Sequence, residues 1–335
     1  MLWCNIPGFY DSDKGGPRWG SCHIFMDGKN VFVVDGYCTV GADRLINRLL
    51  SWDKLKLHLA ITHPHYDHYN GIERIIDDSR FTVICLYVPN PNTYNKNFSS
   101  DCRQNVEALE RIINKAKLKG IRVYYLYDGD SVSIGDIKFI TYRNQPTTAE
   151  NTDSYLNDGS LCFWFDELKY LTTGDAGFEC VRQHGLKPAF IMGGHHGNTL
   201  DGGDLKPSKM AKFMYDNGCK YYWDNDYNTN YTDFLMTGRE DAVNSGMKFI
   251  NIHGDINFIS YDNKVVIYKG VEHWSYRCSY NKPLTLKAAD IAILKAVLKG
   301  KLGNGDARIS ELIRLGYAPY SVQTNINDFY KLIKG

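Results

Sequence analysis

The sequence predicts an α/β protein built as a sandwich of two mixed β-sheets flanked by helices. Short apolar runs of the strand kind alternate with amphipathic stretches at helical spacing. Hairpins fall at the start, middle and end of this series, which suits two mixed sheets better than one parallel sheet. No apolar run approaches the ~20 residues needed to cross a bilayer, so no membrane insertion is expected.

The elements follow in order. "SCHIFMDGKNVFVVDGY" (21–37) reads as two strands about a turn containing Asp27-Gly28. A helix from about 41 to 52 sets Leu45, Ile46, Leu49 and Leu50 on one face. "LKLHLAIT" (55–62) is a short buried-strand run, followed by a helix start at 69–78 and a strand at 81–88. Residues 101–119 carry Val106, Leu109, Ile112 and Ile113 at helical spacing. Strand 121–126, the stretch 130–142, a hairpin at 161–175 and strand 189–194 come next. A helix near 207–217, strands at 220–225 and 248–252 and a hairpin at 256–268 complete the pattern. After about Pro283 the strand-rich pattern stops and the chain turns helical, with loops at "GNGD" and "GYAP". Residues 1–282 are thus expected to form one large domain and 283–335 a three-helix module.

Composition narrows the function. A formal net charge of +1 without a long Lys/Arg block argues against a general polyanion binder, so nucleic acid is not the expected partner. Nine cysteines without a C-x-x-C pair suit reduced, buried thiols better than a disulfide framework. The start, "MLWCNIPGFYDSDKGG", has neither a basic n-region nor an apolar h-region, which predicts cytoplasmic synthesis without a secretory signal.

The chemistry is concentrated in "THPHYDH" (62–68), at the end of an apolar run. Histidine is scarce, ten in 335 residues, so three within six positions stand out. Imidazole with carboxylate suits zinc and related divalent ions. Pro64 breaks any helix through the cluster, so the ligands are expected to fan out from a tight loop. His63 and His65 alternate and can point toward one ion, while Asp67 and His68 face a second. Asp175 in "TTGDAG" and His195 in "MGGHHGN" each lie just past a strand and join the expected ligand set.

This constellation resembles the metallo-β-lactamase superfamily, whose H-x-H-x-D-H signature is matched by His63, His65, Asp67 and His68. The resemblance covers roughly residues 15–270 and implies an αβ/βα sandwich with its site at the edge between the sheets. It also implies that Asp175 bridges two divalent metal ions, zinc in the first place, with manganese or iron as alternatives. Most members supply a further histidine between the signature and the bridging aspartate, yet none occurs here from Tyr69 through Gln183. That departure, with "NDGSLCFWF", "LTTGDAG" and "GGHHGN" in order, resembles the branch of the competence protein ComEC and the teichoic-acid phosphorylcholine esterases. Asp158 or Asn157 is then the candidate for the vacant ligand position, with a plain turn residue as the other reading. Of the adjacent pair, His195 is taken as metal ligand, and His196 then approaches the substrate or braces the ligands. Asp67 is expected to orient the nucleophile as well as to bind metal.

Two substrate features remain. "YYWDNDYNTNY" (221–231) either lines a groove for sugar or quaternary ammonium, through Tyr222, Trp223 and Tyr227, or runs as core strand into a polar loop. The segment around "GNGDAR", "LGY" and "VQTNIN" resembles the cell-wall-binding repeat of some phage lysozymes. Together these imply a metal-dependent phosphodiesterase acting on a cell-envelope polymer, held to peptidoglycan through 283–335 and acting at the wall after lysis or unconventional release. The alternative is a cytoplasmic phosphodiesterase acting on nucleotides or nucleic acid, with the helical module used for assembly.

Overall fold

In "KLHLA" the side chains alternate between two apolar surroundings, and that alternation explains the architecture. Leu57 and Leu59 pack into a core under helices, whereas Ala60 faces a second core between two sheets. A strand buried on both faces belongs at the middle of a layered protein.

The computed structural model describes residues 3–6, 20–27, 29–52, 55–144, 152–197, 200, 205–223, 236–250, 256–261, 264–269, 272–277 and 291–302, with Arg308, Leu312 and Leu315. The chain begins with β1 (Trp3–Ile6), β2 (His23–Asp27), β3 (Asn30–Val34), α1 (Thr39–Leu50) and β4 (Lys56–Ala60). It continues through α2 (Tyr66–Asp77), β5 (Thr82–Pro89), α3 (Ser100–Leu118) and β6 (Arg122–Leu126). The second half opens with β7 (Ser131–Ile134), β8 (Ile137–Arg143), α4 (Thr152–Asp158), β9 (Leu161–Phe165) and β10 (Tyr170–Thr172). Next come α5 (Glu179–Gln183), β11 (Phe190–Met192), α6 (Gly194–Gly197) and α7 (Pro207–Asp216). β12 (Tyr221–Trp223), α8 (Met236–Ser245) and β13 (Lys248–Phe249) finish that half. The chain then returns as β14 (Ile256–Tyr261), β15 (Lys264–Lys269) and β16 (Glu272–Arg277), and α9 (Ile291–Leu298) follows.

Among the described residues these strands make two mixed sheets, ordered β16-β15-β14-β1-β2-β3-β4-β5-β6 and β13-β12-β11-β10-β9-β8-β7. The apolar faces of α1, α2 and α3 cover the outer side of the first sheet, through Leu45, Ile72 and Ile112 among others. Stacked aromatics fill the space between sheets, Phe25 on Phe165 at 3.8 Å and Phe32 on Phe139 at 4.6 Å between ring centroids. Residues of α5, α7 and α8 cover the outer side of the second sheet. The order helix, sheet, sheet, helix is the expected αβ/βα sandwich.

Several elements depart from the sequence reading. β1 and β16 extend the first sheet, and the short helices α4, α5 and α8 were not anticipated; their mixed composition gives little helical periodicity. Asp67 and His68 stand on the first turn of α2 and not in the loop, because Pro64 blocks a helix only up to itself. Of the expected three-helix module, α9 lies within the described residues and clusters through Ile293 and Val297 with Leu312. The rest of 283–335 lies almost wholly outside them.

Candidate metal centre

Pro64 disfavours helical backbone at His63, and the helix starts only after His65, its N-cap in extended conformation at φ −86°. Asp67 then sits in the first turn, where the helix dipole favours an anion. Two glycines let α2 lie against the β3–α1 turn: a Cβ at Gly71 would stand 1.8 Å from the Gly36 carbonyl oxygen. The "TGD" turn is equally constrained. Gly174 has φ +57°, and a Cβ there would come within 2.8 Å of the Thr62 side chain. The Leu161 N–H donates to the Thr62 carbonyl at 2.9 Å, joining the two sheets at the same edge.

The structure brings His63, His65 and Asp175 together, with donor atoms all within 4.8 Å of one another. His63 Nε2 lies 3.0 Å from His65 Nδ1 and 3.6 Å from Asp175 Oδ2. Ligands placed tetrahedrally about zinc at ~2.0–2.1 Å are roughly 3.4 Å apart, a value these separations bracket. On its other side Asp175 Oδ1 stands 3.1 Å from His68 Nε2, which in turn is 3.7 Å from Asp67 Oδ2. His195 Nε2 is 3.9 Å from Asp175 Oδ2, and its N–H donates to the Gly174 carbonyl at 3.3 Å. One carboxylate therefore faces three imidazoles from the signature loop, the α2 turn and the short helix α6 after β11.

A carboxylate not singled out from sequence organises the cluster. Asp35, fully buried at the end of β3, accepts the Thr62 N–H at 2.8 Å and the Thr62 hydroxyl at 2.9 Å. The Ser21 hydroxyl donates to it at 3.3 Å and His68 Nδ1 at 2.8 Å. Asp35 holds φ +58°, a left-handed backbone that costs free energy and is retained where surroundings over-determine it. Thr62, its hydroxyl proton committed to Asp35, is left to accept from His63 Nδ1 at 3.0 Å. These bonds fix the tautomers of His63 and His68, each with Nε2 turned to Asp175.

The donor set fits divalent cations on its own chemistry. Burial lowers the His68 imidazolium, but Asp175, Asp35 and Asp67 outweigh it and raise the pKa well above the ordinary value. The surrounding carboxylates thus favour positive charge at His68, as they would favour a bound cation. His63 moves the other way: burial first, then His68, hold it neutral against the opposing pull of Asp175. A neutral imidazole is the form that binds metal.

The remaining expected residues fall in different places. Asn157 is 5 % exposed and its Oδ1 has no hydrogen-bond partner among the described residues, while Asp158 is half-buried beside it at the end of α4. The His196 side chain and Tyr227 lie outside the described residues. Tyr222 and Trp223 do not line a groove. Both are fully buried on opposite faces of β12, one toward the helices and the other toward the inter-sheet core. The signal that misled is the aromatic run itself, because a strand buried on both faces has no polar alternation.

No family model matches the sequence, and no curated protein matches it either. Solved structures are similar in fold. The metallo-β-lactamase fold protein YhfI of Bacillus subtilis shares 10% identity over 75% of this chain and 96% of its own, at a TM-score of 0.50. Igni18, a metallo hydrolase of the archaeon Ignicoccus hospitalis, shares 13% over 77% of this chain and 99% of its own, at 0.45. A diphosphatase of the PhnP family shares 11% over 77% of this chain and 98% of its own, at 0.44. With its two mixed sheets, flanking helices and His/Asp cluster at the sheet edges, the chain has the metallo-β-lactamase fold.

Proposed function

We propose that the protein is a binuclear metal-dependent hydrolase that cleaves phosphodiesters. The observation that carries this reading is the Asp175 carboxylate, within 3.1–3.9 Å of His63, His68 and His195. In this reading His63 and His65 with Asp175 hold one divalent ion, zinc in the first place. Asp67, His68 and His195 with Asp175 hold the other, and Asn157 or Asp158 takes the position of the missing histidine. Bound there, the ions supply Lewis acidity and a water acidic enough to react near neutrality. Asp67 would orient a water there and take up its proton, while Asp35 and Thr62 keep the imidazoles in the tautomers the site needs. His196 approaches the substrate oxygen on which charge develops.

The substrate in this proposal is a cell-envelope polymer such as teichoic acid or its phosphorylcholine, and residues 283–335 contact peptidoglycan. Chromogenic phosphodiester, phosphomonoester and lactam substrates test the reaction: the diester is expected to be cleaved well above the lactam. Efficient lactam opening with negligible diester cleavage contradicts the reading. Removing 285–335 is expected to weaken co-sedimentation with purified sacculi, and full-length protein that never sediments with them refutes the wall contact.

A further inference from the structure

Arg143, the last residue of β8, is 8 % exposed. A guanidinium cannot shed its charge by losing a proton, and a cation withdrawn from water is ordinarily matched by an anion. Among the described residues the groups around it are neutral. Nε donates to the Gly159 carbonyl at 2.9 Å, Nη1 donates to the Thr93 hydroxyl, and the guanidinium lies over the Tyr94 ring at 4.7 Å. Asp128, the acid nearest in the hydrogen-bond pattern, accepts from the Arg143 backbone N–H at 3.0 Å and not from the side chain. Nη2 is buried and has no hydrogen-bond partner among the described residues. A fixed positive charge with one donor uncommitted is half of an ion pair.

Its position says where the other half comes from. Gly159, which holds Nε, directly precedes Ser160, fully buried, whose hydroxyl also has no hydrogen-bond partner among the described residues. A Cβ at Gly174 would stand 3.2 Å from the Ser160 Cβ, so Ser160 abuts the turn that carries Asp175. Arg143 pairs across β9 with Leu161, whose N–H bonds the carbonyl of Thr62, next to His63. The cation and the hydroxyl, each with a polar atom lacking a hydrogen-bond partner among the described residues, therefore flank the same strand start that borders the metal centre.

We propose that Arg143, with Ser160 beside it, is the point that receives an anionic oxygen of the substrate, a non-bridging phosphoryl oxygen of the diester. The inference rests on the phosphodiesterase reading and assigns its specificity. Arg143 is a binding residue in this account: it selects a charged ester over a neutral one, because an anionic oxygen accepts from Nη2 and also balances the buried charge, whereas a neutral oxygen only accepts.

Calorimetric titration of inorganic phosphate into the metal-loaded full chain and its Arg143→Gln variant tests the binding point directly. Phosphate affinity is expected to fall about tenfold or more in the variant, the usual range for a charge-assisted hydrogen bond. In parallel, the ratio of kcat/KM for bis(p-nitrophenyl) phosphate to that for neutral p-nitrophenyl acetate is expected to fall by a similar factor. Unchanged phosphate affinity, or equal falls on both esters, overturns the proposal and leaves Arg143 a strut for the Gly159 loop. A wild-type enzyme that cleaves no diester defeats the phosphodiesterase reading, while the phosphate titration still decides the anion point. Should Arg143→Gln fail to fold by circular dichroism, Arg143→Lys decides: a fall of about threefold or more is expected. A folded lysine variant with wild-type phosphate affinity and ester selectivity overturns the proposal.

Discussion

Two buried histidine networks, one between the sheets and one at their edges, behave in opposite ways. His23 on β2 bonds the Tyr170 hydroxyl at 2.9 Å and the Thr172 hydroxyl at 3.1 Å, one through each ring nitrogen. Burial, helped by the positive charge of His68, lowers its pKa to about 3, so it is neutral throughout the working range. His68 is equally buried, yet Asp175, Asp35 and Asp67 around it overcome the burial and raise its pKa. Burial alone makes an imidazole a core side chain. Buried carboxylates on both ring nitrogens make it one half of a cation site.

The sharpest way to break the comparison is to remove the carboxylate that the metal pole alone possesses. Asp175→Ala is expected to lower ester hydrolysis about a thousandfold or more, as the loss of several kcal/mol of charge stabilisation implies. Single-turnover assays at saturating zinc check this, and activity within tenfold of wild type contradicts it.

Asp35→Asn is expected to act more mildly. It keeps the shape but weakens the acceptor that orients Thr62 and His68, and such partners are worth about 10–100-fold in metal affinity. Competition with a zinc-binding dye measures the effect. Equal zinc affinity in both proteins would show that Asp35 only shapes the β3 turn.

His23 offers the smallest effect, and one of a different kind. The unfolded chain takes up a proton on this histidine below about pH 6.5, whereas the native state does so only near 3. The unfolded state binds more protons between those values, so stability rises with pH across the window. The contribution is fully present above pH ~6.5 and is lost as pH falls toward ~3. Thermal melts of His23→Gln, which bonds the same hydroxyls without titrating, are expected to show a flatter acid slope there. Identical slopes for the two proteins would contradict the neutral-core assignment.

Much of this was legible in the chain. "THPHYDH" announced itself through composition, and most strands of the two sheets, β1 and β16 apart, through apolar runs bounded by turns. His23, alone in its strand and outside any histidine cluster, carries no signal of metal chemistry in the sequence. Asp35 was not legible, since its role depends on β3 lying beside β4, which carries a residue 33 positions from His68 to its side. The one hint was its place after "NVFVV", at the same kind of strand end that delivers the signature loop. Arg143 was hidden for the same reason: an arginine ending a strand looks solvated until the layers close over it. For Tyr222 and Trp223, which the sequence allowed to be either groove or core strand, burial on both faces of β12 decides for the core strand.

The central claim is that the pole around Asp175 holds two divalent ions per chain. Elemental analysis of the full-length protein, purified without chelator and dialysed against metal-free buffer, tests it most directly. The account predicts about two transition-metal ions per chain in the wild type and at most one in His63→Ala. Fewer than half an ion in the wild type after zinc loading, or equal content in both proteins, would contradict it.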